Sequence, residues 1–219
     1  MVELDRTEAR IVGVLIEKQR TVPDSYPMTE NALVHGCNQK SNRDPVMDLQ
    51  QFEVAGACMA LHQREVIARV EGGGRAAKFR HKLDELLHVG DDALAVLCEL
   101  LVRGPQAPGA LKPRVARMGF HGSPAQIEDV LRSLAERSPP LVELQPKRPR
   151  ERDQRWAHLL GPGNVALAPE VGDASEPKDQ PTAHAPAPSL PTTTDDTVAE
   201  RLAALEARVD ELERRLEGL

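Results

Sequence analysis

Apolar residues near the start of the chain recur every three to four positions, and "ARIVGVLIEKQ" is apolar on more than one side. That pattern predicts a helix buried on several faces. Asp5 and Glu8 have the D-x-x-E spacing of a capping box. "PMTENALVHGC" predicts a short second helix with Thr29 as its cap. In "LQQFEVAGACMALHQR", Val54, Ala57, Cys58 and Leu61 form an i, i+3, i+4, i+7 stripe. Asp48 and Gln51 are placed to cap that third helix. "EVIARV" and "RAAKFRHKL" then flank Gly72–Gly74, which predicts two strands about a glycine-rich tip.

The same order returns. "DDALAVLCELLVRG" turns one apolar face, Leu94, Leu97, Cys98 and Leu101, inward. "APGALKPRVARMG" predicts a short helix, bent or delayed by Pro113. "SPAQIEDVLRSLAER" has Ser123 as cap, Pro124 at the first helical position and Gln126 closing a capping box. Its stripe is Ile127, Val130, Leu131 and Leu134. "PLVELQ" and "QRWAHLL" flank the tip "PKRPRERD". Helix–helix–helix–hairpin, twice, predicts a mainly α, α+β fold with small β-hairpins. The expected architecture is two winged-helix domains, residues 1–85 and 86–160.

Residues 161–197 hold seven prolines among Gly, Ala, Thr and acidic residues, without periodicity. They predict a flexible linker. In residues 198–219, Val198, Leu202, Leu205, Val209, Leu212, Leu216 and Leu219 make an a/d heptad seam. Arg201 and Arg208 occupy g positions, and Glu206 and Glu213 occupy e positions. This charge pattern favours a parallel homodimer over an antiparallel one. An amphipathic helix docked on its own domains is the plainer alternative.

The words "LIEKQ", "YPMTENAL", "CNQKSNRDPVM", "GGGRAAKFRH", "LLVRGPQAPGAL" and "RWAHLL" carry a resemblance over about residues 4–160. Together they resemble the YceH-like family of bacterial proteins. The resemblance implies a tandem winged-helix fold and supplies no catalytic residues. Phe79 stands where that family is expected to have Tyr.

Charge changes the picture more than composition does. Residues 1–85 carry a net −1, residues 86–160 carry +2, and the two tail segments carry −5 and −2. The overall −6 therefore sits in the tail, and the acidic balance does not exclude nucleic acid. Aromatics make up only 2% of residues, which argues against stacking on single strands. The charged N-terminus shows no secretory signal, and no long apolar run predicts a membrane span. The expected location is cytoplasmic. Cys37, Cys58 and Cys98 are scattered, which suits reduced thiols.

Catalytic motifs are missing from the sequence, and no enzyme activity or cofactor is expected. Gly72–Gly74 lacks the Lys and Ser/Thr of a phosphate loop. His35, Cys37, Cys58 and His62 could be imagined around zinc, but Cys58 lies on the apolar stripe and reads better as a small hydrophobe. No metal site is expected.

A winged-helix fold makes duplex DNA the first partner to consider. Candidate contacts are Lys40 and Arg43 before the third helix, and Gln50 and Gln51 at its start. In the hairpins they are Arg75, Lys78 and Arg80, then Lys147, Arg148, Arg150 and Arg152. The acidic Asp48, Glu53, Glu128 and Asp129 near the third helices count against phosphate. The alternative is a protein–protein interaction scaffold. A small-ligand sensor is a third reading, for which the sequence identifies no pocket. In the connection "GCNQKSNRDPVMD", Asn38, Asn42 and Asp44 suit turns and Pro45 is expected to stop the second helix. That leaves Lys40 and Arg43 to meet phosphate, a carboxylate or water.

Overall fold

The computed structural model describes residues 2–70, 76–147, 149 and 151–161. The linker and heptad readings at residues 162–219 lie outside the described residues, as do residues 71–75, 148 and 150.

Helix α1 spans Arg6–Thr21. The Asp5 side chain accepts from the Glu8 backbone N–H at 2.8 Å, and Glu8 accepts from the Asp5 N–H at 3.0 Å. A two-residue strand β1, Met28–Thr29, comes next. Helix α2 covers Glu30–Cys37, with the Thr29 hydroxyl capping Ala32. Helix α3 covers Gln51–Gln63 and buries Val54, Cys58 and Leu61. Strands β2, Ile67–Val70, and β3, Lys78–His81, pair antiparallel. β1 adds to the far edge of β3, with Met28 opposite Phe79, so the sheet order is β1-β3-β2. A short helix α4, Leu83–Leu87, leads to the second half.

There, α5 spans Asp91–Arg103, α6 spans Pro108–Val115 and α7 spans Pro124–Ala135. Pro113 is inside α6, which begins at Pro108 and passes into a 3₁₀ turn at Ala116–Met118. Ser123 and Gln126 close the expected capping box on α7. Strands β4, Val142–Leu144, and β5, Trp156–His158, pair antiparallel. Gln106 makes an isolated bridge to Trp156, the counterpart of β1 on β3. The order helix, strand contact, helix, helix, hairpin thus occurs twice in a mixed α and β fold with small antiparallel sheets.

Three parts of this order differ from the sequence expectation. β1 and the Gln106 bridge are too short to show alternation, and α4 follows directly on the hairpin strand. Pro45 does not stop α2. The helix ends at Cys37, where Asn38 turns away to bind elsewhere.

The two halves share one core, because α1 and α5 pack against each other. Gly13 makes the close approach feasible: a Cβ there would lie 2.6 Å from Val102 Cγ1 and 3.2 Å from Leu101 Cβ. The Cys98 thiol donates to the Gly13 carbonyl at 3.2 Å. Arg20 at the end of α1 reaches Asp91 at the start of α5 at 2.5 Å, so the helices run antiparallel. α1 is consequently buried from Glu8 through Glu17, and α5 from Leu94 through Val102.

Candidate nucleic-acid interface

The segment that enters α3 is braced from inside. The Asn38 side chain donates to the Leu49 carbonyl and accepts from the Leu49 N–H, each at 2.8 Å. This paired contact ties the two ends of the connection together. Arg10, buried on α1, donates to the Cys37 carbonyl at 3.0 Å and the Pro45 carbonyl at 2.7 Å. Burial lowers its pKa to about 10. Asn42 holds φ 57°, a left-handed conformation that asparagine tolerates better than most residues.

Arg43 is not a surface cation. Its guanidinium is buried and pairs with Glu17 of α1 at 2.5 Å. It also donates to the Gly36 carbonyl at 3.0 Å and the Asn42 carbonyl at 2.8 Å. The expectation of a phosphate contact at Arg43 is therefore corrected: a carboxylate inside the fold takes the charge. Lys40 remains exposed.

The start of α3 also differs in detail. Gln50 is the N-cap residue, one position before the expected Gln51 and two after Asp48. Glu53 folds back to accept from the Gln50 N–H at 2.7 Å. That carboxylate serves its own helix terminus, where the dipole favours it. Gln50, Gln51 and Phe52 all face outward. Phe52 is 75% exposed, and Met59, two turns further along, is 64% exposed. Both lie off the Val54–Cys58–Leu61 stripe. The signal for them was their i, i+7 spacing on the opposite face, overshadowed by the stronger stripe.

In the first hairpin, Lys78 is exposed, while Arg80 donates to Glu85 at 3.0 Å. Phe79 is buried against the core opposite Met28. In the second hairpin, Lys147 and Arg152 are exposed and Arg155 pairs with Glu151 at 2.7 Å. Arg75, Arg148 and Arg150 lie outside the described residues. On α7, Glu128 accepts from the Trp156 indole N–H at 3.0 Å and from Arg132 at 3.3 Å. The structure thus exposes Gln50 and Gln51 at the start of α3 and Lys40 in the connection before it. It withdraws Arg43 and partly neutralises Arg80.

The two hairpins carry matching histidines. His81 stands opposite Ile67, and His158 opposite Val142. Burial lowers the pKa of each ring to about 4. At His81 the nearby Asp84 carboxylate opposes that shift. The ring also meets the Gln19 side-chain oxygen on α1. Nδ1 of His158 accepts the Leu160 N–H at 3.3 Å, a bond a protonated ring cannot make.

Burial pushes the Cys37 and Cys58 thiols up to about 12, so neither is a ready thiolate. Among the described residues, no three His, Cys, Asp or Glu side chains gather as a metal site. No helix among those residues is long and apolar enough to cross a membrane.

Residues 4–151 match the family model described as "Protein of unknown function, DUF480". The chain belongs to the DUF480 family. It is 41% identical over 209 residues to a UPF0502 protein of Geotalea uraniireducens, covering 95% of this chain and 90% of the relative. A UPF0502 protein of Delftia acidovorans is 41% identical over 219 residues, with 97% and 89% covered. One from Geobacter sulfurreducens is 46% identical over 157 residues, with 72% of each chain covered. The last alignment is shorter and closer in sequence than the first two.

Proposed function

We propose that this DUF480 protein binds duplex DNA, without enzymatic activity, through two winged-helix modules of the kind the YceH-like resemblance implies. The observation that carries the reading is the leading turn of α3. Gln50, Gln51 and Phe52 face outward, Lys40 in the connection before them is exposed, and Glu53 is folded back onto its own helix. Glutamine can bond adenine N6 and N7 in the major groove, and a phenyl ring can pack on the thymine methyl. Lys40, Lys78, Lys147 and Arg152 provide phosphate contacts that position the helix, with Arg75, Arg148 and Arg150 at the hairpin tips. A homodimer through the Val198–Leu219 heptads is part of this reading and rests on their spacing. Sizing of the full chain against one ending at 197 tests it. Equal protomer numbers in both remove the dimer.

Fluorescence anisotropy on genomic duplex fragments, across a salt series, tests binding itself. Lys40→Ala with Lys147→Ala should flatten the log–log salt slope by about two units. Gln51→Ala should narrow the gap between preferred and random sequence without changing that slope. No binding to any fragment at low salt ends the proposal.

The exposed Phe52 and Met59 favour a second reading, a protein-interaction scaffold, since Met59 lies well beyond the leading turn. Affinity capture with the wild type and with Met59→Ser separates the two. A protein partner lost in Met59→Ser, with no DNA enriched by either, supports the scaffold.

A further inference from the structure

The connection before α3 and the second hairpin meet around a cavity of about 360 Å³. That volume is within the range of small-ligand sites. Asp44 lines it from the connection, Arg103 and Gln106 from the end of α5 and just beyond, Arg114 from α6, and Arg152 and Arg155 from the hairpin. Asp153 and Glu151 complete its charged lining.

Two of the arginines are held in an unusual way. Arg103 donates to the Asn42 side-chain oxygen at 3.0 Å, and Arg114 to the Gln106 side-chain oxygen at 2.6 Å. Both acceptors are neutral amides. Among the described residues, neither guanidinium is within ion-pair distance of a carboxylate. Arg155, by contrast, is already paired with Glu151.

The mount beneath Arg114 is rigid. Gln106 is buried, its amide donates to the Glu99 carbonyl at 3.0 Å, and its backbone pairs both ways with Trp156. A guanidinium has five donors in a fixed fork. A single amide oxygen leaves most of them open.

The two charges also feel each other. Burial and the neighbouring Arg114 charge both lower the Arg103 pKa. The Glu99 and Asp44 carboxylates oppose that shift without cancelling it. Burial raises the Glu99 carboxyl, and its Oε2 is buried without a hydrogen-bond partner among the described residues. Two like charges fixed on one wall, with open donors, are an arrangement that a bound oxyanion relieves.

We infer that this cavity is a binding site for a small oxyanion-bearing metabolite, its carboxylate or phosphate held by Arg103 and Arg114. Asp44 and Asp153 on the same lining select for a polar body carrying hydroxyl donors and act against bare polyanions. The site does not depend on whether the protein binds DNA.

Isothermal titration of the full chain with inorganic phosphate, glycerol 3-phosphate and glycerate tests the site. The last two separate phosphate from carboxylate on a hydroxylated body. Saturable one-to-one binding of at least one is expected, with glycerol 3-phosphate or glycerate ahead of inorganic phosphate. Arg103→Gln and Arg114→Gln should each weaken it by roughly tenfold or more. Arg132→Gln, on the exposed face of α7, should leave it unchanged. Circular dichroism confirms that each variant is folded. Should Arg114→Gln unfold, Arg114→Lys keeps the charge but loses the fork, and it should weaken binding in the same direction. No saturable binding of any of the three compounds overturns the inference. So does binding that both folded arginine variants leave untouched.

Discussion

The two halves repeat one order of elements but treat the approach to their third helix differently. In the first half, residues 38–50 form a long connection fastened by Asn38, Arg10 and the buried Arg43–Glu17 pair. In the second, only residues 119–123 separate the 3₁₀ turn from α7. The outward faces differ as well. α3 shows Phe52 and Met59 to solvent, whereas α7 shows Gln126, Asp129, Arg132 and Ser133. One architecture therefore carries two surface chemistries. The interior effort is concentrated on the half whose third helix displays apolar side chains. The duplicated order is a scaffold, and the first connection is its specialised part.

The sharpest way to break this comparison is Arg43→Ala. It leaves Glu17 buried without its partner, which should cost about 3–5 kcal/mol. Urea denaturation gives the value. A loss no larger than that of exposed Arg132→Ala would mean the brace is not structural. Next is Gly13→Val, which drives a branched side chain into Val102 and Leu101. It should cost about 1–3 kcal/mol or more and destabilise both halves in one transition. Two separated transitions in the same denaturation curve would show the halves unfolding independently.

The paired histidines give a subtler test. A folded-state pKa near 4 against an unfolded value of about 6.5 means the unfolded chain binds more protons between those limits. Stability should be level above pH 6.5 and fall as pH drops toward 4, by on the order of 1–3 kcal/mol for each ring. His158→Gln and His81→Gln should each remove part of that slope. A slope untouched by either assigns it to other groups. The smallest effect is expected for Phe52→Ser. An exposed residue whose role is a partner should change stability by about 0.5 kcal/mol or less. A larger loss would show that Phe52 is packed in solution.

The helices were readable because their caps and stripes are local. Asp5–Glu8, Thr29 and Ser123–Gln126 each act within one turn of chain. The hairpins were readable from their apolar runs and polar tips. What sequence could not show is contact between distant residues. Arg43 looks like any loop cation until Glu17, on another helix, is placed beside it. Likewise, Arg103 and Arg114 belong to different helices, and only folding sets them on one cavity. β1 and the Gln106 bridge were invisible for another reason. Strands of one or two residues carry no period, and their partners fix them.

The antiparallel contact of α1 with α5 has a consequence for modularity. Each helix belongs by chain order to its own repeat, yet each completes its burial against the other. Cutting between the repeats would strand an apolar wall on both fragments. The repeat boundary is therefore a poor place to dissect, shuffle or transplant this protein. The smallest portable unit is the pair, joined where Gly13 lets α1 approach Leu101 and Val102 of α5.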